Sequence, residues 1–224
     1  MKKAFIFLGP PGCGKGTQTE LLAKELKLPH IDTGSLLRKN IKEGTEIGLV
    51  AKGYIDKGQL VPLDVVSTVI KNRLKENDCN GGYILDGFPR SLQQAQSLDN
   101  ILDELNKGIS KEDIEAIYFD IPNEVLIERL VNRRSCPKCG KIYNLKTSAP
   151  KTEGKCDDCN TDLIQRKDDT KETAVLRFET YEKETKPLLE FYTKRGNLKK
   201  INANQSIDNV WKDLLKVIEI KETV

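Results

Sequence analysis

The sequence predicts an α/β protein built on a five-stranded parallel sheet with helices on both faces. Three observations predict it. Short apolar runs alternate with helical stretches, a glycine-rich turn follows the first run, and 224 residues with 38% hydrophobic content can bury a sizeable core. The first run is Ala4–Leu8, ended by Gly9, Pro10, Pro11 and Gly12. Residues 17–28 then carry Leu21, Leu22 and Leu26 at helical spacing. Further buried strands are expected at 83–85, 116–121 and 198–201, with a weaker one at His30 and Ile31. Pro122 and Asn123 open a helix that runs to about residue 132. A long amphipathic helix starts near residue 170, and Pro187 kinks or breaks it, because proline has no N–H to donate. Trp211, Leu214, Leu215 and Ile218 give the last helix an apolar face that reads as core.

Composition narrows the function classes. Lys+Arg 37 against Asp+Glu 34 leaves a net charge of +3, and the mean hydropathy is −0.50 with no apolar run of bilayer length, so a membrane-spanning protein is excluded. Lys2 and Lys3 ahead of Ala4–Leu8 imitate a secretion signal, but five apolar residues stand where about seven or more are needed. The expected location is cytoplasmic. Balanced charge also lacks the basic excess of a dedicated nucleic-acid binder.

Four of the six cysteines form two CxxC pairs, Cys136 with Cys139 and Cys156 with Cys159, sixteen residues apart. Each CxxC turn lets two thiolates converge on one ion, so the pattern reads as a tetrahedral zinc site, with iron or another metal as alternatives. Two disulfides would need an oxidising compartment. Gly140 and Asn160, which follow the pairs, tolerate the positive φ of a tight knuckle. Cys13 and Cys79 stand apart and read as packing residues.

Two segments break the alternation of strand and helix. Residues 32–61 are helical and glycine-rich with no strand of their own, and residues 132–169 contain the four clustered cysteines. The second carries nine Lys+Arg against six Asp+Glu, so its +3 equals the charge of the whole chain. Four thiolates and a divalent ion would reduce that excess to +1.

Residues 9–17 match the first seven positions of the GxxxxGK[ST] phosphate loop, with Gly16 at the hydroxyl position and Thr17 one later. Successive N–H groups must surround a phosphate at a helix N-terminus, and a lysine must reach its outer oxygens. Gly12, Gly14, Lys15 and Gly16 meet that need. Asp86 follows the expected strand 83–85, at the carboxyl end where open α/β sheets place ligand chemistry; it reads as a holder of Mg²⁺ or its water, or as a turn aspartate. Of nine arginines, Arg38, Arg90, Arg129, Arg133, Arg134, Arg166 and Arg177 lie beside these features. Their guanidinium forks suit polyanionic ligands, although Arg134 reads equally well as a solvated helix residue. His30 is the single histidine and reads as structural or exposed. Phosphoryl transfer to an acceptor phosphate needs no histidine base.

On these motifs the sequence resembles the bacterial adenylate kinases of the long-lid, zinc-containing type, over essentially the whole chain. The matching segments are 9–17, 33–38, 59–61, 85–90, Gln94, 132–136 and 165–169. The resemblance implies a P-loop nucleoside monophosphate kinase fold. Its CORE domain would comprise 1–31, 62–131 and 170–224, its AMP-binding domain 32–61 and its LID 132–169. It implies transfer between Mg·ATP and AMP to give two ADP; a monomer is expected separately, because no extended apolar surface is evident beyond the core stripes. Gly12, Cys13, Gly14, Lys15, Gly16 and Thr17 would cradle the ATP phosphates, with Arg129 and Arg133 beside them and Ile142, Tyr143 and Gln205 near the adenine. Thr33, Arg38, the backbone of Gln59, Leu60 and Val61, then Gly87, Phe88, Pro89, Arg90 and Gln94 would hold AMP. Arg166 and Arg177 would close over the transferring group, Asp86 would orient magnesium through water, and structural zinc would sit on the four cysteines. Ser35 and Asn144 depart from the Asp and His usual in the family. Rival readings are a pyrimidine monophosphate or GTP-using kinase of the same architecture, a zinc-ribbon nucleic-acid binder with an NTPase core, and a nonenzymatic nucleotide sensor.

Overall fold

The computed structural model describes residues 4–218; Lys2 and Lys3 lie outside the described residues. In chain order the elements are β1 (Ala4–Leu8), α1 (Lys15–Leu26), β2 (His30–Asp32), α2 (Thr33–Glu43), α3 (Glu46–Ile55), α4 (Leu63–Leu74), β3 (Tyr83–Asp86) and α5 (Leu92–Leu105). There follow β4 (Ile114–Asp120), α6 (Leu126–Val131), β5 (Arg133–Ser135), β6 (Ile142–Asn144), α7 (Lys171–Thr180), α8 (Pro187–Lys194), β7 (Leu198–Asn202) and α9 (Ile207–Val217). Five strands pair in parallel in the order β2-β3-β1-β4-β7, the α/β sheet expected.

Strand β1 is central and buried on both sides, which explains its unbroken apolar run. Its residues alternate between two cores. Ala4, Ile6 and Leu8 pack with Ile70, Leu98 and Leu188 on one face, while Phe5 and Phe7 pack with Leu22, Leu126 and Leu214 on the other. Leu214, Leu215 and Ile218 are buried as read, and Trp211 packs at the edge of that second core.

The chain leaves β1 toward β2 but leaves β3 for β4 on the opposite side of β1, so the carboxyl ends of the strands flank a crevice there. Two excursions overhang it. In the first, α2 and α3 approach so closely that a Cβ on Gly48 would come within 2.2 Å of the Asn40 carbonyl oxygen; Leu37, Ala51, Val61 and Val69 form the small core beneath. The second is built on the antiparallel pair β5 and β6, with Cys136, Tyr143 and Cys156 in its interior.

Pro187 begins α8, and the turn before it, Tyr181–Thr185, is a π-helix in which the Lys186 N–H reaches the Tyr181 carbonyl at 2.9 Å. The expected break is thus a widening, as proline leaves no donor for the carbonyl four residues back.

Candidate active site

A single cleft of about 1200 Å³ runs along the carboxyl edge of the sheet and under both excursions. Its floor is the glycine-rich turn. Gly12 (φ 84°) and Gly14 (φ 98°) occupy the left-handed region, and a Cβ on Gly12 would meet the Leu126 carbonyl oxygen at 3.1 Å. Gly14 caps α1 without a side-chain hydrogen bond, so the first N–H groups of the helix keep their donor capacity at the cleft. Lys15 Nζ donates to the carbonyls of Gly9 (2.7 Å) and Pro10 (3.1 Å) and lies 3.3 Å from Cys13 Sγ. Cys13 is buried, and its own N–H is spent on the Pro10 carbonyl at 3.3 Å, so it shapes the turn more than it faces the cleft. Gly16 and Thr17 line the floor; a Cβ on Gly16 would touch Ile142 Cδ1 at 3.1 Å, so the wall and floor meet there.

Asp86 closes the inner end. Its Oδ2 accepts from Thr19 Oγ1 at 3.3 Å and lies 3.6 Å from His30 Nε2. Burial works to raise its pKa, but His30, Lys15 and Arg90 outweigh it and hold the carboxyl below its ordinary value. His30, read as structural or exposed, instead stands at the cleft beside this carboxylate. The proximity of His30 to Asp32 along the chain gave no signal of that, because β3 brings Asp86 in from a distant part of the sequence.

The acceptor side is lined by Thr33, Arg38, Gln59, Leu60 and Val61. Thr33 Oγ1 is buried with no hydrogen-bond partner among the described residues. Arg38 leans on Asp32 (3.4 Å) and Ser35 (3.1 Å), and Ser35 also donates to Asp32. Gly87, Pro89, Arg90 and Gln94 complete that wall; Arg90 Nε donates to the Gly87 carbonyl at 2.9 Å. Phe88 differs: it is 1% exposed within the sheet core and does not line the cleft.

The overhanging wall brings Arg129, Arg133, Arg166 and Arg177 to the same cleft. Asp169, fully buried, organises two of them. It accepts from Arg133 Nε at 2.7 Å and from Arg133 Nη2, and from Arg177 Nη1 at 3.0 Å; Asp168 holds Arg177 as well, at 2.9 Å. Burial, then repulsion from Arg133, pushes Arg177 down to about 10; burial, then Arg133 and Arg38, pushes Arg166 down to about 9. Both remain cations near neutral pH; Arg177 has Asp168 and Asp169 beside it, whereas Arg166 has no carboxylate at ion-pair distance among the described residues, and a polyanion would relieve the crowding. Nothing in the local pattern assigns Asp168 and Asp169 a role, though their place directly after Arg166 and Lys167 is the available signal. Arg134 turns away and donates to the Val131 and Arg133 carbonyls at 3.1 and 2.8 Å, a helix-end role. Replacing Asp169 with Asn should cost about 3 kcal/mol, because it strands buried arginine charge. Urea unfolding and turnover measured together check this; stability and turnover are both expected to fall.

Ile142, Tyr143 and Gln205 border the donor end. Tyr143 lines the cleft while its ring, 3% exposed, packs with Cys136 and Cys156. Its hydroxyl donates to Cys156 Sγ (3.4 Å) and accepts from the Asp157 N–H (2.8 Å). Gln205 Nε2 is tied to the Asn202 carbonyl and to Asp213, at 2.9 and 2.7 Å. Asn144 holds the Arg129 carbonyl at 3.0 Å.

The four clustered cysteines are free thiols whose sulfurs lie within 4.8 Å of one another. Cys136 to Cys159 is 3.3 Å, Cys139 to Cys156 is 3.5 Å and Cys139 to Cys159 is 3.8 Å. A disulfide needs about 2.05 Å. Tetrahedral Zn–S bonds of about 2.3 Å put sulfurs about 3.8 Å apart, so the set fits an enclosed cation. The Tyr143 hydroxyl holds Cys156 down at about 6, whereas desolvation, although Cys139 is exposed, and the neighbouring thiols push Cys139 up to about 12. Four thiolates this close ionise together only around a positive ion. Gly140 (φ 82°) and Asn160 (φ 54°) take the expected knuckle conformation.

Comparison with known proteins accords with this geometry. The family described as adenylate kinase matches residues 7–197. The chain belongs to the adenylate kinase family. It is 47% identical over 213 residues to the adenylate kinase of Caldanaerobacter subterraneus subsp. tengcongensis, covering 95% of each chain. It is 44% identical to that of Clostridium perfringens strain 13, covering 97% of this chain and 98% of the relative, and 46% identical to that of Clostridium beijerinckii, covering 95% and 97%. As an adenylate kinase the chain is an enzyme of phosphoryl transfer. No helix among the described residues is long and apolar enough to cross a membrane.

Proposed function

We propose that this cleft catalyses the reversible transfer of the terminal phosphoryl group of Mg·ATP to AMP, giving two ADP. The observation that carries this reading is one continuous cleft with a glycine-rich helix N-terminus at one end, an unpartnered Thr33 hydroxyl at the other, and crowded arginines between them.

ATP would lie with its phosphates on residues 12–17 and its adenine between Ile142 and Gln205, with the backbone at Tyr143 rather than its ring forming that edge. AMP would lie against Thr33, the backbone of residues 59–61 and Gln94, its phosphate held by Arg38 and Arg90. Lys15 would leave the loop carbonyls for the outer phosphate oxygens, while Arg129, Arg133, Arg166 and Arg177 neutralise the charge of the group in transfer. The AMP phosphate is already an anion and needs no proton removed, which suits a site whose one histidine is engaged with Asp86. Asp86, an ionised oxygen donor at the phosphate end, fits a role in holding magnesium through water. Bound there, magnesium would supply charge neutralisation to the phosphate oxygens.

Residues 1–31, 62–131 and 170–224 would act as CORE, with 32–61 and 132–169 closing on AMP and ATP. Closure would exclude water, strengthen each arginine contact and prevent wasteful hydrolysis. Zinc would have a structural task, because four thiolates leave no open coordination position. A cytoplasmic monomer is the working state this reading assigns.

A coupled assay with ATP fixed and each nucleoside monophosphate offered in turn tests the proposal. AMP should exceed UMP and CMP in kcat/KM by at least about 10²-fold, as expected where a site's polar groups must be matched. Comparable values for UMP or CMP would overturn the acceptor assignment.

A further inference from the structure

We propose that Thr185, in the π-helical turn ahead of Pro187, is a positioning residue for Arg90; the inference rests on the reading of Arg90 as a holder of the AMP phosphate.

Helical threonines ordinarily return their hydroxyl to the carbonyl four residues back. Thr68, Thr180 and Thr193 do so, onto Asp64, Leu176 and Leu189 at 2.7, 2.9 and 2.6 Å. Thr185 does not. The Tyr181 carbonyl that it would take receives the Lys186 N–H, and Thr185 Oγ1 donates instead to the Arg90 carbonyl at 2.8 Å, across 95 positions of chain. Thr185 is 7% exposed, so this bond is sheltered from water.

Arg90 lies between the end of β3 and the Ser91 cap of α5, where no regular ladder pairs its backbone. Its peptide groups must find other partners. Its N–H goes to Gln94 Oε1 at 2.8 Å and its carbonyl to Thr185, while Nε goes to Gly87. Gln94 and Gly87 belong to the same local stretch, so Thr185 is the tie that references Arg90 to a distant helix. The same helical stretch also approaches the acceptor side at Thr180, whose Oγ1, with its proton on the Leu176 carbonyl, lies 3.3 Å from the Gly58 carbonyl next to residues 59–61. Within the widened turn the Thr185 hydroxyl thus goes to Arg90 rather than to its own helix. Without it, the Arg90 carbonyl would be left unpaired and the loop could shift, moving the guanidinium while leaving the ATP end untouched.

The test is steady-state kinetics of Thr185→Val, which keeps the shape and removes the donor, beside Thr185→Ala, Thr185→Ser and Arg90→Ala. Thr185→Val should lower kcat/KM for AMP about tenfold, in line with one lost buried hydrogen bond, with KM for ATP within twofold. Thr185→Ser should restore AMP kinetics because it keeps the hydroxyl, and Thr185→Ala should match Val, guarding against a fit problem specific to the larger side chain. Wild-type AMP kinetics in Val and Ala, or equal losses toward ATP and AMP tracking a lower melting temperature, would overturn the proposal while Arg90→Ala still abolished AMP use. An Arg90→Ala enzyme with unchanged AMP kinetics would instead overturn the underlying role of Arg90, and the proposal with it.

Discussion

Lys15→Met is expected to cut turnover by at least about 10²–10³-fold with the fold intact, the scale seen when a single donor to developing charge is removed. The side chain is held by backbone carbonyls of its own loop, at 2.7 and 3.1 Å, so it contributes little that methionine cannot replace in packing. Its loss should therefore spare the melting temperature. The Pro10 carbonyl keeps the Cys13 N–H, so only the Gly9 carbonyl, at the lining of the cleft, loses its partner. Turnover under saturating ATP and AMP, read beside thermal unfolding, checks both halves; near-normal turnover would contradict the assignment of the phosphate loop.

Removing the metal from the cysteine cluster should do the reverse. Residues 132–169 have a small interior of Cys136, Tyr143 and Cys156 with Cys159 and Leu163 at its margin, too little apolar surface to hold the segment by itself. Four thiolates bound to an ion would supply the missing stabilisation. A metal-free protein is expected to melt about 5 °C or more lower, given the usual scaling for chains of this size, yet to turn over at low temperature within about threefold of the loaded enzyme. Atomic emission on the purified protein, then calorimetry before and after chelation, tests this. An unchanged melting temperature would refute the structural role.

The sheet was legible because a central parallel strand buries both faces and so writes itself as an unbroken apolar run, as Ala4–Leu8 does. The phosphate loop and the CxxC pairs were legible for a different reason, since their chemistry depends on fixed local spacing. What could not be read depends on contacts between distant segments. Asp169 is an ordinary surface residue type until Arg133 and Arg177 close on it. His30 lacked a partner until β2 was laid beside β3. Tyr143 pointed to the adenine by resemblance, yet its ring serves the cysteines, because alternate residues of β6 face opposite ways and Ile142 takes the cleft side. Pro187 marked an irregularity in the helix, but proline alone does not say whether a helix will kink, end or widen, and here it widens.

The α2–α3 contact reaches into the freedom of this gene to vary. At position 48 the backbone of the facing helix occupies the volume of the smallest side chain, and the obstruction is main chain that cannot rotate aside. Glycine is thus obligatory there, whereas five residues later Gly53 has nothing within 4 Å and a side chain would meet no obstruction. Two identical letters on one helix therefore face opposite steric demands.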